Sequence, residues 1–575
     1  MRDNKVDLII KNINVYNSYL KSFQLADVSI LNGKILHIDK NKEAELTSET
    51  SVDGTGKYMI PGLIDIHMHI ESSMMVPETF CNHVAKCGIT TLVAEPHEMA
   101  NVMGYKGITD MIEAGENCDI DIFIGIPSCV PSTSDVLETT GGIIDFSTME
   151  ELKKLEKVIC VGEVMNYRQI IQENDLEITK FLTKLREEDK NFPIEGHCPS
   201  LMGLDLSKFL YLGINADHTE HSFEEIKERF ENGMFIEIQE KMLKKEILEY
   251  IHENNLYEHF GFVTDDVMAD TLLEQGQLDG VMRKAINLGM RVEDVIYNST
   301  FTNARRMNLL DRGAIAPGKL ADFVLLEDLN NLKVYATYKA GKCIFHKNFK
   351  SNLNENESYR FPGEYYKSIN MPELTEEAFK VKANINYGYV TVRAMEIKDG
   401  STKTEEKHIK LKVENGYMDW ENSECRLAVV VERYGKNKGV GYGFVCGDVI
   451  KTGAAATSYA HDSHNVLVIG ANIKDMSIAL HSIDIMQGGM VVVENLEIKG
   501  ALQLNVGGIL SDKPIENISR DLKMVRNALI KQGYKHYNPI MSLSTITLPV
   551  SPKLKLTDKG LVDVVSGTIV SLVVE

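Results

Sequence analysis

The run Pro61-Gly62-Leu63-Ile64-Asp65-Ile66-His67-Met68-His69 ends an apolar, β-branched stretch in two histidines one residue apart. Alternate residues of a strand face the same side, so both imidazoles leave its carboxyl end together. Neutral imidazoles converging in this way form half of a metal site. Two ordinary histidines near a surface turn would have the same spacing. The readings separate on whether further ligands follow, and in what order.

Further ligands do follow. Strand-like runs at 59–69, 89–95, 120–126, 158–164, 192–197, 214–218, 234–238 and 260–265 alternate with stretches of helical period such as 175–188 and 222–232. This alternation predicts a parallel sheet with right-handed crossovers, and eight units suffice to close a (β/α)8 barrel. An open doubly wound sheet should carry a glycine-rich phosphate turn after its first strand, where this chain has histidines. Barrel enzymes carry their chemistry at the carboxyl ends of strands. Here those ends bear His67 and His69, Glu95 with Pro96-His97-Glu98, Glu163, His197, His218 and Asp265.

Glu163 sits among apolar strand residues and needs a cation to stay ionised. A salt bridge to Arg168 would serve. The histidines on neighbouring strands favour a carboxylate bridging two divalent metals. The expected ligand set is His67, His69, Glu163, His197, His218 and Asp265. Cys198 is less well placed than His197, and His221 falls in the next loop, where a surface position is expected. Asp266 is read as a cap for the segment that follows. Two bridged ions raise the acidity of a shared water enough to yield hydroxide at neutral pH. Asp265 can accept its proton and return it to a leaving group. That chemistry is hydrolysis at a carbon bonded to nitrogen, in an amide or an amidine-like ring.

A chain of 575 residues exceeds one core and predicts two to four domains. The α/β class is expected, built as three units. Residues 1–58 and 310–346 pair into a small composite β-sandwich domain that covers exposed strand edges. The barrel occupies 59–309, a polar linker 347–373, and a second α/β domain 374–575, with strands at 427–431, 466–469 and 490–493. A net charge of -21 excludes general nucleic-acid binding, which needs a basic surface. No signal peptide and no membrane-spanning stretch is expected. Nine scattered cysteines without a Cys-x-x-Cys pair fit a reducing cytoplasm and no disulfide framework.

The segments His67-Met68-His69-Ile70-Glu71-Ser72-Ser73-Met74, Glu95-Pro96-His97-Glu98-Met99-Ala100-Asn101-Val102 and Gly162-Glu163-Val164-Met165-Asn166-Tyr167 resemble the adenine deaminase family of the amidohydrolase superfamily. So do Gly196-His197-Cys198-Pro199, Ala216-Asp217-His218, the distal run 460–465 and the run 554–563. The resemblance covers nearly the whole chain. Glu163 stands where many superfamily members have a carboxylated lysine, which disfavours a hydantoinase or dihydroorotase. The resemblance implies conversion of adenine and water to hypoxanthine and ammonia, with two divalent ions, manganese before iron or zinc. It implies a small purine base as substrate and a homo-oligomer, a dimer, without nucleic acid or membrane. A ring nitrogen must gain a proton, and Glu98 or Glu240 are the candidate acids. His461, Asp462 and His464 are expected to support the site from the second domain, or to form a structural polar cluster there. One segment departs from the family: Gln239-Glu240-Lys241-Met242 replaces the usual Arg-Glu-Gly-Ser. That departure keeps three alternatives open: a related aminopurine, a cyclic amide or amidine, and a non-catalytic paralogue. The mononuclear zinc deaminases are excluded, because no Pro-Cys-x-x-Cys accompanies His69-Ile70-Glu71.

Overall fold

The computed structural model describes residues 4–173, 176–348 and 359–574. Residues 349–358 of the expected linker lie outside the described residues, as does Asp175 at the start of one expected helix.

Eight short parallel strands follow one another: β1 Leu63–Met68, β2 Ile89–Ala94, β3 Asp121–Ile126, β4 Val158–Val164, β5 Ile194–Gly196, β6 Ala216–Asp217, β7 Phe235–Ile238 and β8 Phe260–Phe262. The first five share one hydrogen-bonded sheet and the last three another. The ends meet where the Asp265 amide donates to the His67 carbonyl at 3.1 Å, which bridges the chain after β8 to β1. Between β5 and β6 the backbones come close enough that a side chain at Gly196 would stand 2.6 Å from the Ala216 carbonyl oxygen. Helices intervene, among them Phe223–Glu231, whose start is set by Ser222 and Glu225 in a reciprocal cap.

The apolar run 59–69 is divided between two structures. Tyr58–Pro61 pairs antiparallel with Phe323–Asp328 in the flanking sheet, and only Leu63–Met68 enters the barrel. That flanking sheet has eight strands, with Lys5–Asn17 and Lys342–His346 among them, and its own core of Ile10, Val28, Phe323 and Leu325.

The carboxyl-terminal part is a nine-stranded mixed sheet with helices Ile473–Met486 and Ile515–Lys531 and a separate three-stranded sheet starting at Leu554–Thr557. A continuous apolar core joins it to the barrel, from Ile122 and Phe262 through to Tyr459 and Leu522. One expectation is overturned here: Cys425 and Cys446 form a disulfide. They flank an antiparallel ladder in which Arg426 faces Val445, so strand register brings them opposite. No local cysteine spacing could announce that pairing.

Lys555 is fully buried, and its Nζ donates to the carbonyls of Thr402 and Thr545, each at 2.7 Å. Burial pushes its pKa down to about 7. Above pH 7 the folded chain sheds this proton, while the unfolded chain keeps it until about pH 10.4. Stability from this group therefore rises with pH across that window, by up to about 1.4 kcal/mol per unit. Denaturation of the parent and of Lys555→Met at pH 7 and pH 9 should show a difference growing by about 2 kcal/mol in the parent's favour.

Candidate metal centre

The strand ends converge on one carboxylate. Glu163 Oε2 lies 2.5 Å from His197 Nδ1 and 3.1 Å from His218 Nε2. Its Oε1 lies 3.5 Å from His69 Nε2 and 3.6 Å from His97 Nδ1. Room for this packing comes from Gly162, where a side chain would stand 2.3 Å from Glu95 Cγ. The salt bridge to Arg168 does not form; the Arg168 Nε instead lies beside the Tyr167 hydroxyl.

His67 and His69 project together from β1. His67 stacks on His218 at 3.7 Å between ring centres, and its Nε2 is buried without a hydrogen-bond partner among the described residues. His69 Nδ1 donates to the Glu95 carbonyl at 2.8 Å, which turns Nε2 toward Glu163 and toward Asp265 Oδ1 at 3.4 Å. A metal-ligating imidazole is typically oriented by such a bond at its other nitrogen. Ligand atoms of His67, His69 and Asp265 lie within 4.8 Å of one another, as do those of Glu163, His197 and His218.

The electrostatics favour positive charge in this cluster. Burial opposes ionisation of Glu163, but His197 and His218 outweigh it and hold the carboxyl well below the usual carboxylate range. Burial would lower His69, yet its contact with Asp265 and the charge on Glu163 raise it well above an ordinary histidine. Imidazoles and carboxylates this close, with His67 Nε2 and His218 Nδ1 without a hydrogen-bond partner among the described residues, are a donor set that fits divalent first-row metals. Only His197 is appreciably exposed, at 32% of its side chain, and it marks the mouth.

Residues 58–344 match the amidohydrolase family, and residues 401–568 match the adenine deaminase C-terminal domain. An adenine deaminase of Clostridium perfringens is 50% identical over 99% of this chain and 100% of its own. Adenine deaminase 2 of Shouchella clausii is 48% identical over 99% of each chain. The chain belongs to the adenine deaminase family.

The part of the chain matching the adenine deaminase C-terminal domain reaches into the barrel mouth. The Tyr459 hydroxyl lies 3.4 Å from Glu98 Oε1, and His461 Nδ1 lies 3.2 Å from the same oxygen. The loop after β3 is clasped from the same side. Thr139 donates through its amide and its hydroxyl to Asp558, and Asn465 Nδ2 donates to the Thr139 carbonyl.

The two candidate acids part company. Glu98 is fully buried beside His461, and burial raises its pKa. Glu240 is half-exposed and paired with Lys284, outside the cluster. His221 is buried, not on the surface: its Nε2 meets Asp217 Oδ2 at 2.9 Å, where Arg229 and Cys198 also donate. Asp266 accepts from the Ser72 hydroxyl and caps no helix. Glu95 and His97 were visible as a strand end in the sequence, but only the fold brings them against Glu163 and His69.

Gln239, the residue where the family's arginine is usual, is buried. Its Nε2 donates to Asp265 Oδ2 at 2.6 Å and to the His218 carbonyl at 2.7 Å. It therefore ties β6, β7 and β8 together behind the cluster. Gln239→Leu should lower kcat about tenfold with little change in KM, since it frees the Asp265 carboxylate to rotate. Steady-state kinetics on the two proteins check this.

Proposed function

We propose that this protein is an adenine deaminase, converting adenine and water to hypoxanthine and ammonia. The observation that carries the reading is the Glu163 carboxylate set among His69, His97, His197 and His218, with Asp265 beside His69. Full-length relatives of that name support it.

His67, His69, Glu163, His197, His218 and Asp265 would hold two divalent ions, manganese by the family resemblance. Such ions supply Lewis acidity, lowering the pKa of water and neutralising negative charge as it develops. Asp265, held at Oδ2 by Gln239, presents Oδ1 on the His69 side, where it can take a proton from the attacking water. The same carboxyl returns that proton to the departing amino group. Glu98 would protonate a ring nitrogen, a role supported by its burial, its raised pKa and its contacts with Tyr459 and His461. Burial of the surrounding side chains limits competing water. A small purine base is the substrate, and a cytoplasmic dimer the working assembly, that we infer.

Protein loaded with manganese should consume adenine, read as ultraviolet loss of adenine with stoichiometric ammonia. An unchanged spectrum at high enzyme concentration overturns the reading. A panel of aminopurines and cyclic amides run in parallel identifies the substrate if adenine fails.

A further inference from the structure

His97 opens a helix from the carboxyl end of β2 and faces two groups at once. Its Nδ1 bonds to Glu95 Oε2, on the side of Glu163. Its Nε2 points the other way, 3.8 Å from Asp462 Oδ1 of the carboxyl-terminal domain. A carboxylate on one imidazole nitrogen is the arrangement that orients the other nitrogen onto a metal. His461 Nδ1 lies 3.4 Å from the same Asp462 oxygen. Bonds of 2.0–2.1 Å at tetrahedral angles set neighbouring ligand atoms about 3.3 Å apart, close to the spacing found here.

We propose that a third divalent cation binds between the barrel and the carboxyl-terminal domain, held by His97, His461 and Asp462. Their ligand atoms all lie within 4.8 Å of one another, and all three side chains are more than nine-tenths buried. His461 Nε2 and Asp462 Oδ2 have no hydrogen-bond partner among the described residues, although both are shut away from solvent. Buried polar atoms rarely remain so without a ligand, water or ion. Two imidazoles and a carboxylate suit zinc, manganese or iron and not magnesium or calcium, which prefer all-oxygen sites. The cation would join the two domains, because His97 belongs to one and His461 with Asp462 to the other.

The site is counted in ions and not in turnover, so its failure and that of the adenine reading are distinguishable. The full-length protein is loaded with zinc, passed through a desalting column and assayed for zinc per chain by mass spectrometry. The parent should retain three ions, and His461→Asn and Asp462→Ala two each. His408→Ala, in an exposed pair with Glu406, should retain three. Two ions in the parent, or three in both interface variants, overturns the proposal. So does a loss in His408→Ala equal to theirs. Because either interface variant can misfold, crystals of the zinc-loaded parent give a second test. An anomalous peak among His97 Nε2, His461 and Asp462 is expected, and its absence overturns the assignment.

Discussion

Glu163→Gln is expected to lose both metal and rate, and by more than any other single substitution in the cluster. The carboxylate meets two imidazoles through each oxygen, so one residue serves ligands from β1, β5 and β6 and the His97 turn. A glutamine keeps the shape but carries no charge, and its amide nitrogen presents donor hydrogens to imidazoles where an acceptor stood. The positive charge that the cluster favours then loses its nearest counter-charge. Metal content after loading should fall by at least one ion per chain, and kcat by about a thousandfold or more. Measuring both on one preparation separates the effects. Full occupancy in this variant would show that Glu163 does not bridge.

Asp265→Asn is expected to separate rate from metal. The variant keeps an oxygen on the His69 side, although its amide nitrogen replaces the oxygen that accepted from Gln239, and five other ligands are untouched. Metal content should stay near that of the parent. Proton transfer cannot survive, because an amide oxygen has no useful basicity near neutral pH, and general acid–base catalysis is worth about 10²–10⁴-fold. The expected result is a fall in kcat of that order with KM within about threefold. A kcat within tenfold of the parent would remove Asp265 as the proton carrier. The two variants form a contrast: one empties the site, and the other fills it without turnover.

The sequence disclosed what is local. His67, His69, Glu163, His197, His218 and Asp265 each stand where a short apolar run stops, and a run's end is visible in a few residues. Their gathering in one cluster follows from the parallel order of the strands. What stayed hidden depends on distant register. Nothing in the run 59–69 says that its first half pairs with residues some 265 positions later. Cys425 and Cys446 became partners only through the ladder between their strands. Glu98 and Glu240 read alike on paper, and burial alone parts them. The disposition of His97, His461 and Asp462 required two domains to be docked, which no window of sequence contains.

The clasp on the loop after β3 bears on how the protein is made. Asp558 and Thr557 receive Thr139 and hold the Leu137 carbonyl, yet they are separated from them by about 420 positions. All eight barrel strands are synthesised long before that clasp can form. A nascent chain therefore carries its histidines and carboxylates on an unclasped barrel until Thr557 and Asp558 have been made. Closure of the β3 loop is thus a late step in synthesis, set by residues far downstream of the barrel.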